Sequence, residues 1–182
     1  VSSGRKMTSG TQNAALGVNS MESVTTGGCN TGIGMSALTA ITTGSTNTSL
    51  GHQSLAAVTT GSGNVAVGFR SGFANQTSSN NVSVGQDSLR CNTGSSNTAV
   101  GRNALENNTS ASNNTALGMS ALVTNTTGAT NVAVGAFAFN SNTTASDGVA
   151  IGRNALCKNT EGAANTAIGN SSMQCNQTGT EN

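Results

Sequence analysis

A glycine returns through this chain at Gly17, Gly34, Gly51, Gly68, Gly85, Gly101, Gly118, Gly135, Gly152 and Gly169; eight of the nine intervals are 17 residues and the ninth, Gly85 to Gly101, is 16. An interval held over 182 residues means that one small unit is used again and again, each copy lying on the last. That is the mark of a solenoid. Composition alone points elsewhere: there is no Pro, Trp or Tyr, and only 7% of residues are charged. Such a polar, low-complexity chain suggests disorder. Disorder has no reason to keep aliphatic residues in register, and here they are kept.

The unit is Asn-Thr-Ala-Val-Gly-Arg-Asn-Ala-Leu at residues 97–105. The residue before the glycine is always a large aliphatic, from Leu16 and Ile33 through Val100 to Ile168. The residue two before is small (Ala15, Gly32, Ser49, Ala66, Ala99), and the one three before is Thr or Val apart from Ala14. Alternation of β-branched, small and aliphatic residues is the period-two pattern of a strand, and the glycine then supplies a bend. The following piece, ending in Ala-Leu or Ser-Leu, reads as a second short strand, closed by a Thr-Thr-Gly turn such as Thr42-Thr43-Gly44. A helix of about five residues between Gly and Asn is too short to be stable. The expected fold is therefore all-β: a parallel β-solenoid of ten 17-residue coils, with two short strands in each and the aliphatic residues before glycine filling the coil.

Two asparagine rows run along the repeat. The first is Asn13, Asn30, Asn47, Asn64, Asn81, Asn97, Asn114, Asn131 and Asn165, with Gly148 as its one exception. Amides stacked one coil apart can bond to one another as a ladder. The second is Asn75, Asn92, Asn108, Asn125, Asn142, Asn159 and Asn176, whose place is taken by Val24, Ile41 and Val58 in earlier coils. This predicts a change of cross-section near residue 70 within a single array over 1–182, with the missing residue absorbed in the turn at Cys91-Asn92-Thr93-Gly94. Both chain ends fall in register, which predicts a piece of a longer array.

A net charge of +1, with seven scattered basic residues, gives no footprint for nucleic acid. No apolar run reaches membrane-spanning length, so no membrane insertion is expected. His52 is the only histidine and has no carboxylate in register beside it; no nucleophile–base pair, phosphate loop or metal spacing occurs. Neither catalysis, a metal nor a cofactor is expected. Cys157 and Cys175, one coil plus one residue apart, are a candidate disulfide, with free thiols the alternative. Sequons such as Asn47-Thr48-Ser49, Asn75-Gln76-Thr77 and Asn125-Thr126-Thr127 abound, as chance provides in an Asn/Thr-rich repeat.

The unit Asn-Thr-Ala-Val-Gly-x-x-Ala-Leu resembles the head repeats of YadA-like trimeric autotransporter adhesins and the repeat arrays of phage and viral fibre proteins, over essentially the whole chain. The resemblance implies a left-handed roll, a homotrimer, and a rod on a virion or cell surface that attaches to a host receptor or glycan. On that reading the small residues two before glycine lie at the subunit contact. The outward candidates are His52, Phe69, Arg70, Gln86, Asp87, Arg102, Phe137 and Arg153. Phe69, Phe73, Phe137 and Phe139, the only aromatics, fill gaps in the subunit contact or form binding patches. The alternative function is an ice-binding solenoid that uses the Thr and Asn rows, although Val replaces the strand Thr in several coils.

Overall fold

The computed structural model describes residues 3, 4 and 6–182. Ten three-residue strands make one parallel sheet in sequence order: β1 (Ala14–Leu16), β2 (Thr31–Ile33), β3 (Thr48–Leu50), β4 (Val65–Val67), β5 (Val82–Val84), β6 (Thr98–Val100), β7 (Thr115–Leu117), β8 (Val132–Val134), β9 (Val149–Ile151) and β10 (Thr166–Ile168). Each residue pairs with its own counterpart in the next coil, as Thr98 with Thr115 and Val100 with Leu117. The short interval is absorbed between β5 and β6 without loss of register, Val82 pairing with Thr98. The molecule is a β-solenoid.

Each coil holds one strand, not two. The expected second strand, Arg102 to Leu105, is a run of turns because Asn103 (φ 59°) and Leu105 (φ 49°) both sit in the left-handed region. Alternating left-handed residues curl the backbone, yet coil-to-coil bonding persists: Leu105 N–H donates to Ala121 O at 3.0 Å and Ser120 N–H to Arg102 O at 2.9 Å. A third left-handed residue precedes each strand by two positions, as Ser96 does (φ 60°). Such a conformation costs about 1–2 kcal/mol for an L-residue, and the interior gain at Leu105 offsets it. The Thr-Thr-Gly turn also has a coil-to-coil role. The N–H groups of Thr42, Thr43 and Gly44 converge on Thr59 O, and the Thr42 hydroxyl donates to the same carbonyl at 3.1 Å.

The interior differs from expectation in one decisive respect. The aliphatic residues before glycine do not fill the coil; Leu16, Ile33, Leu50, Leu117, Ile151 and Ile168 are exposed. The small residues do face inward, with Ala66, Ala99, Ala116, Ala133 and Ala150 buried. A three-residue strand can turn only its middle side chain inward, and the leucine four past each glycine arrives from the opposite wall. At Gly32 a Cβ would already lie 3.0 Å from Met21 Cε. Only a small residue leaves room for that row, which comprises Leu38, Leu55, Leu89, Leu105, Leu122 and Leu156, with Met21 and Phe139. The small residues therefore line the coil rather than a subunit contact.

The buried apolar residues form two clusters. One runs from Met21 through Val24, Ile41 and Val58 to Ala66, and the other from Leu89 through Leu156 to Ala167. Between them the leucine place is taken by Gly72, and Ser71 Oγ bonds to Ser83 O at 2.8 Å and to Ser83 Oγ at 2.7 Å.

Candidate functional site: the outward face of the sheet

Pleating sends the first and third residue of every strand to one side. The third-residue column is aliphatic in all ten coils: Leu16, Ile33, Leu50, Val67, Val84, Val100, Leu117, Val134, Ile151 and Ile168. Beside it runs the first-residue column, Thr in five coils (Thr31, Thr48, Thr98, Thr115, Thr166), Val in four and Ala14 in one. Exposure of the aliphatic side chains reaches 68% at Leu16 and Ile168 and is 46–47% at Leu50 and Leu117. With strands about 4.8 Å apart, the face is about 43 Å long. Neither column holds a charged residue, and the aliphatic one is continuous along the sheet.

One edge of this face is the glycine row. Gly118 has φ +139°, and a Cβ there would lie 2.6 Å from the backbone C and O of Gly135 in the next coil. Every glycine of the row except Gly169 is thus required twice, by conformation and by stacking. Just past them comes the variable row, where Val18, Met35, Phe69 and Met119 extend the apolar surface and His52, Gln86, Arg102 and Arg153 interrupt it with polar groups, all of them exposed. Phe137 lies one position further on and is half-buried, as is Phe73.

Three outward candidates instead form a knot with their neighbours. Asp87 is buried, not exposed, because two arginines fold over it: Arg70 Nε lies 2.9 Å and Arg90 Nε 3.9 Å from Asp87 Oδ1. Gln86 Nε2 donates to Asp87 Oδ2 at 3.1 Å. Arg90 also meets Glu106, with Nη2 at 2.7 Å and Nε at 2.9 Å from Oε1, and this hydrogen bond raises the Arg90 pKa above its ordinary value. The Arg70 guanidinium lies 4.7 Å from the Phe69 ring centre, and the His52 ring centre lies 5.3 Å from the same ring. Opposite charges on three successive coils are therefore brought together over the interval between the two apolar clusters, with Arg70 Nε and Asp87 Oδ1 buried and not hydrogen-bonded.

Both asparagine rows are buried along most of their length. The first row bonds mainly into backbone. Asn47 Oδ1 accepts from the Asn64 backbone N–H and from its amide, each at 3.0 Å, and Asn47 Nδ2 donates to Gly61 O at 2.9 Å. The second row is an amide-to-amide ladder, Asn125 donating to Asn108 Oδ1 at 2.8 Å and Asn142 to Asn125 Oδ1 at 2.9 Å. It breaks at two steps: the Asn92 amide bonds to Gly94 O and not to Asn75, and the second break lies between Asn142 and Asn159. The Asn159 amide bonds to Gly162 O and not to Asn142 Oδ1, which is left buried without a partner.

A second departure from the repeat lies nearby. Phe139 is wholly buried in the leucine row, neither a surface patch nor a filler between subunits, and a Cβ on Gly148 would lie 2.8 Å from its Cε2. The one coil that lost its first-row asparagine is the one whose interior received an aromatic ring. These two deviations from the repeat fit one another sterically; the sequence signal was their being exceptions in the same coil.

Cys157 and Cys175, like Cys29 and Cys91, are free thiols. The extra residue in their spacing puts them in different rows, Cys157 half-buried and Cys175 exposed. Among the described residues there is no pocket and no grouping of three or more His, Cys, Asp or Glu that could hold a metal. Among the described residues no helix is long and apolar enough to cross a membrane. No family model matches the chain, and neither a curated protein nor a solved structure matches it.

Proposed function

We propose that this chain is a rod segment of a surface fibre or adhesin shaft, that it associates with copies of itself through the outward sheet face as a homotrimer, and that it presents attachment surfaces on a virion or cell exterior. The observation that carries the reading is the unbroken aliphatic column from Leu16 to Ile168. Burying ten half-exposed aliphatic side chains contributes roughly 10 kcal/mol per chain at about 1 kcal/mol each, comparable with the cost of association, about 4–15 kcal/mol. A linear column favours partners laid side by side. The variable row beyond the glycines then lies at the rim, where His52, Arg102 and Arg153 are open to a receptor or glycan.

Ice binding would use the same face, because its flat rows have a regular spacing. The mixture of Leu, Ile and Val in one column and the interruption of Thr in the other break the hydroxyl lattice that ice would match. The test is solution mass by light scattering, with a trimeric cap fused as a control. Three chains are expected, and Ile33→Lys with Leu117→Lys returns the rod to a monomer of unchanged circular dichroism. A wild-type monomer, even with the cap, overturns the proposal, and thermal hysteresis in that monomer establishes the ice-binding alternative.

A further inference from the structure

The chain carries ten Asn-x-Ser/Thr sequons, at Asn47, Asn75, Asn81, Asn107, Asn108, Asn113, Asn125, Asn142, Asn170 and Asn176. The fold treats them very differently. Asn47, Asn75, Asn81, Asn108, Asn125 and Asn142 are buried, and the nitrogen that would receive sugar is the one that donates to the interior. Asn125 Nδ2, for instance, donates to Asn108 Oδ1 and at 2.9 Å to Gly128 O, and Asn81 Nδ2 to Gly94 O at 3.0 Å. Asn107 and Asn176 are half-buried with their amides bonded, to Val123 O at 3.0 Å and to Asn159 Oδ1 at 3.0 Å. Only Asn113 and Asn170 are exposed with amides that make no hydrogen bond.

We infer that N-linked sugar enters this fold at Asn113 and Asn170 and at none of the six buried sequons, so that the chain must complete its coils before, or away from, any N-glycosylating transferase. In the reaction, Asn Nδ2 forms a bond to C1 of a glycosyl-phosphate or glycosyl-pyrophosphate donor. The C1–O bond to the phosphate leaving group breaks, and the nitrogen gives up one proton. At Asn125 or Asn142 the product would place a sugar ring where a neighbouring asparagine amide now lies, with no space in the coil to hold it. Transferases that act on the growing, unfolded chain read the sequon and not the fold. A chain modified in that state at six inward positions cannot stack its coils. Asn113 differs by position: it is the left-handed residue two before β7 (φ 63°), at a corner where its side chain projects away from the coil.

The test compares the folded chain with the same chain unfolded in urea and diluted into the assay, each given a purified oligosaccharyltransferase and a lipid-linked oligosaccharide donor, with sites read by peptide mass mapping. For the folded chain, sugar is expected at Asn113 and Asn170 alone, and Thr115→Ala removes the first of these. The unfolded chain is expected to accept sugar at Asn47, Asn125 and Asn142 as well, and then to fail to recover its circular dichroism and protease resistance. Sugar on a buried sequon of the folded chain overturns the inference. So does full refolding of the chain glycosylated while unfolded, or an empty Asn113 and Asn170 in the folded chain while unfolded Asn113 is modified.

Discussion

The pairing of Phe139 with Gly148 can be measured as a free energy. Gly148→Asn restores the consensus residue but puts its Cβ 2.8 Å from Phe139 Cε2, and overpacking of this kind costs about 1–3 kcal/mol. Phe139→Leu restores the other consensus residue but removes part of a ring from a wholly buried site, a loss of roughly 1–2 kcal/mol by deletion of buried groups. If the sites were independent, the double variant would be about 2–5 kcal/mol less stable than the parent. The structure leads to the opposite expectation. A leucine at position 139 leaves space for an asparagine at position 148. The new amide oxygen can then accept from the backbone N–H of Asn165, and its nitrogen can reach Gly162 O, as Asn131 does with Gly148 N and Ala145 O. Two hydrogen bonds at about 1 kcal/mol each are regained. The double variant is therefore expected to be at least as stable as the parent, which makes the coupling about 2–5 kcal/mol, at or above the upper end of the range for residues in contact. Denaturant unfolding of the four proteins measures it. Additivity within about 0.5 kcal/mol refutes the reasoning.

The glycine row offers an internal control. Gly118→Ala meets the backbone of the next coil and is expected to cost about 3 kcal/mol or more, whereas Gly169→Ala, with φ +123° but only Ser172 Cβ at 4.0 Å, incurs the conformational part alone, about 1–2 kcal/mol. Equal losses on thermal unfolding would remove stacking from the explanation. Thr46 is β-branched with φ 58°, in a row where Gly63 also stands, so Thr46→Gly is expected to stabilise by about 0.5–1 kcal/mol after the entropy of glycine is subtracted. A lower melting temperature would mean that the left-handed rows are not strained. Asp87→Asn leaves Arg70 and Arg90 facing each other without their carboxylate. With Arg70 partly exposed, the loss should be about 1 kcal/mol or less, and it should shrink at high salt. A salt-independent loss would assign Asp87 a packing role instead.

Much of this rod was legible because each residue's main neighbour is its own counterpart one period away. The interval of 17 residues, the glycine row and the two asparagine rows all follow from translation along the chain, and the register of β1 to β10 repeats it residue for residue. Local turn chemistry was legible for the same reason, since Thr42-Thr43-Gly44 meets Thr59 in the same position of the next turn. Other features concern the direction across the coil, which no periodicity describes. Alternation in Thr98-Ala99-Val100 says that Ala99 faces away from its two neighbours but not which side is inside. The leucine row on the far wall settles that, because it fills the space and admits only a small residue opposite. Nor could the pattern show that Asn103 and Leu105 adopt left-handed conformations, which non-glycine residues do not advertise and which only stacked coils stabilise. Asp87 is buried by arginines from its own and a neighbouring coil. Sequence alone determined how the coils repeat along the rod; tertiary packing decided which side of the strand is the interior, because that choice depends on the volume available between opposite walls of one coil.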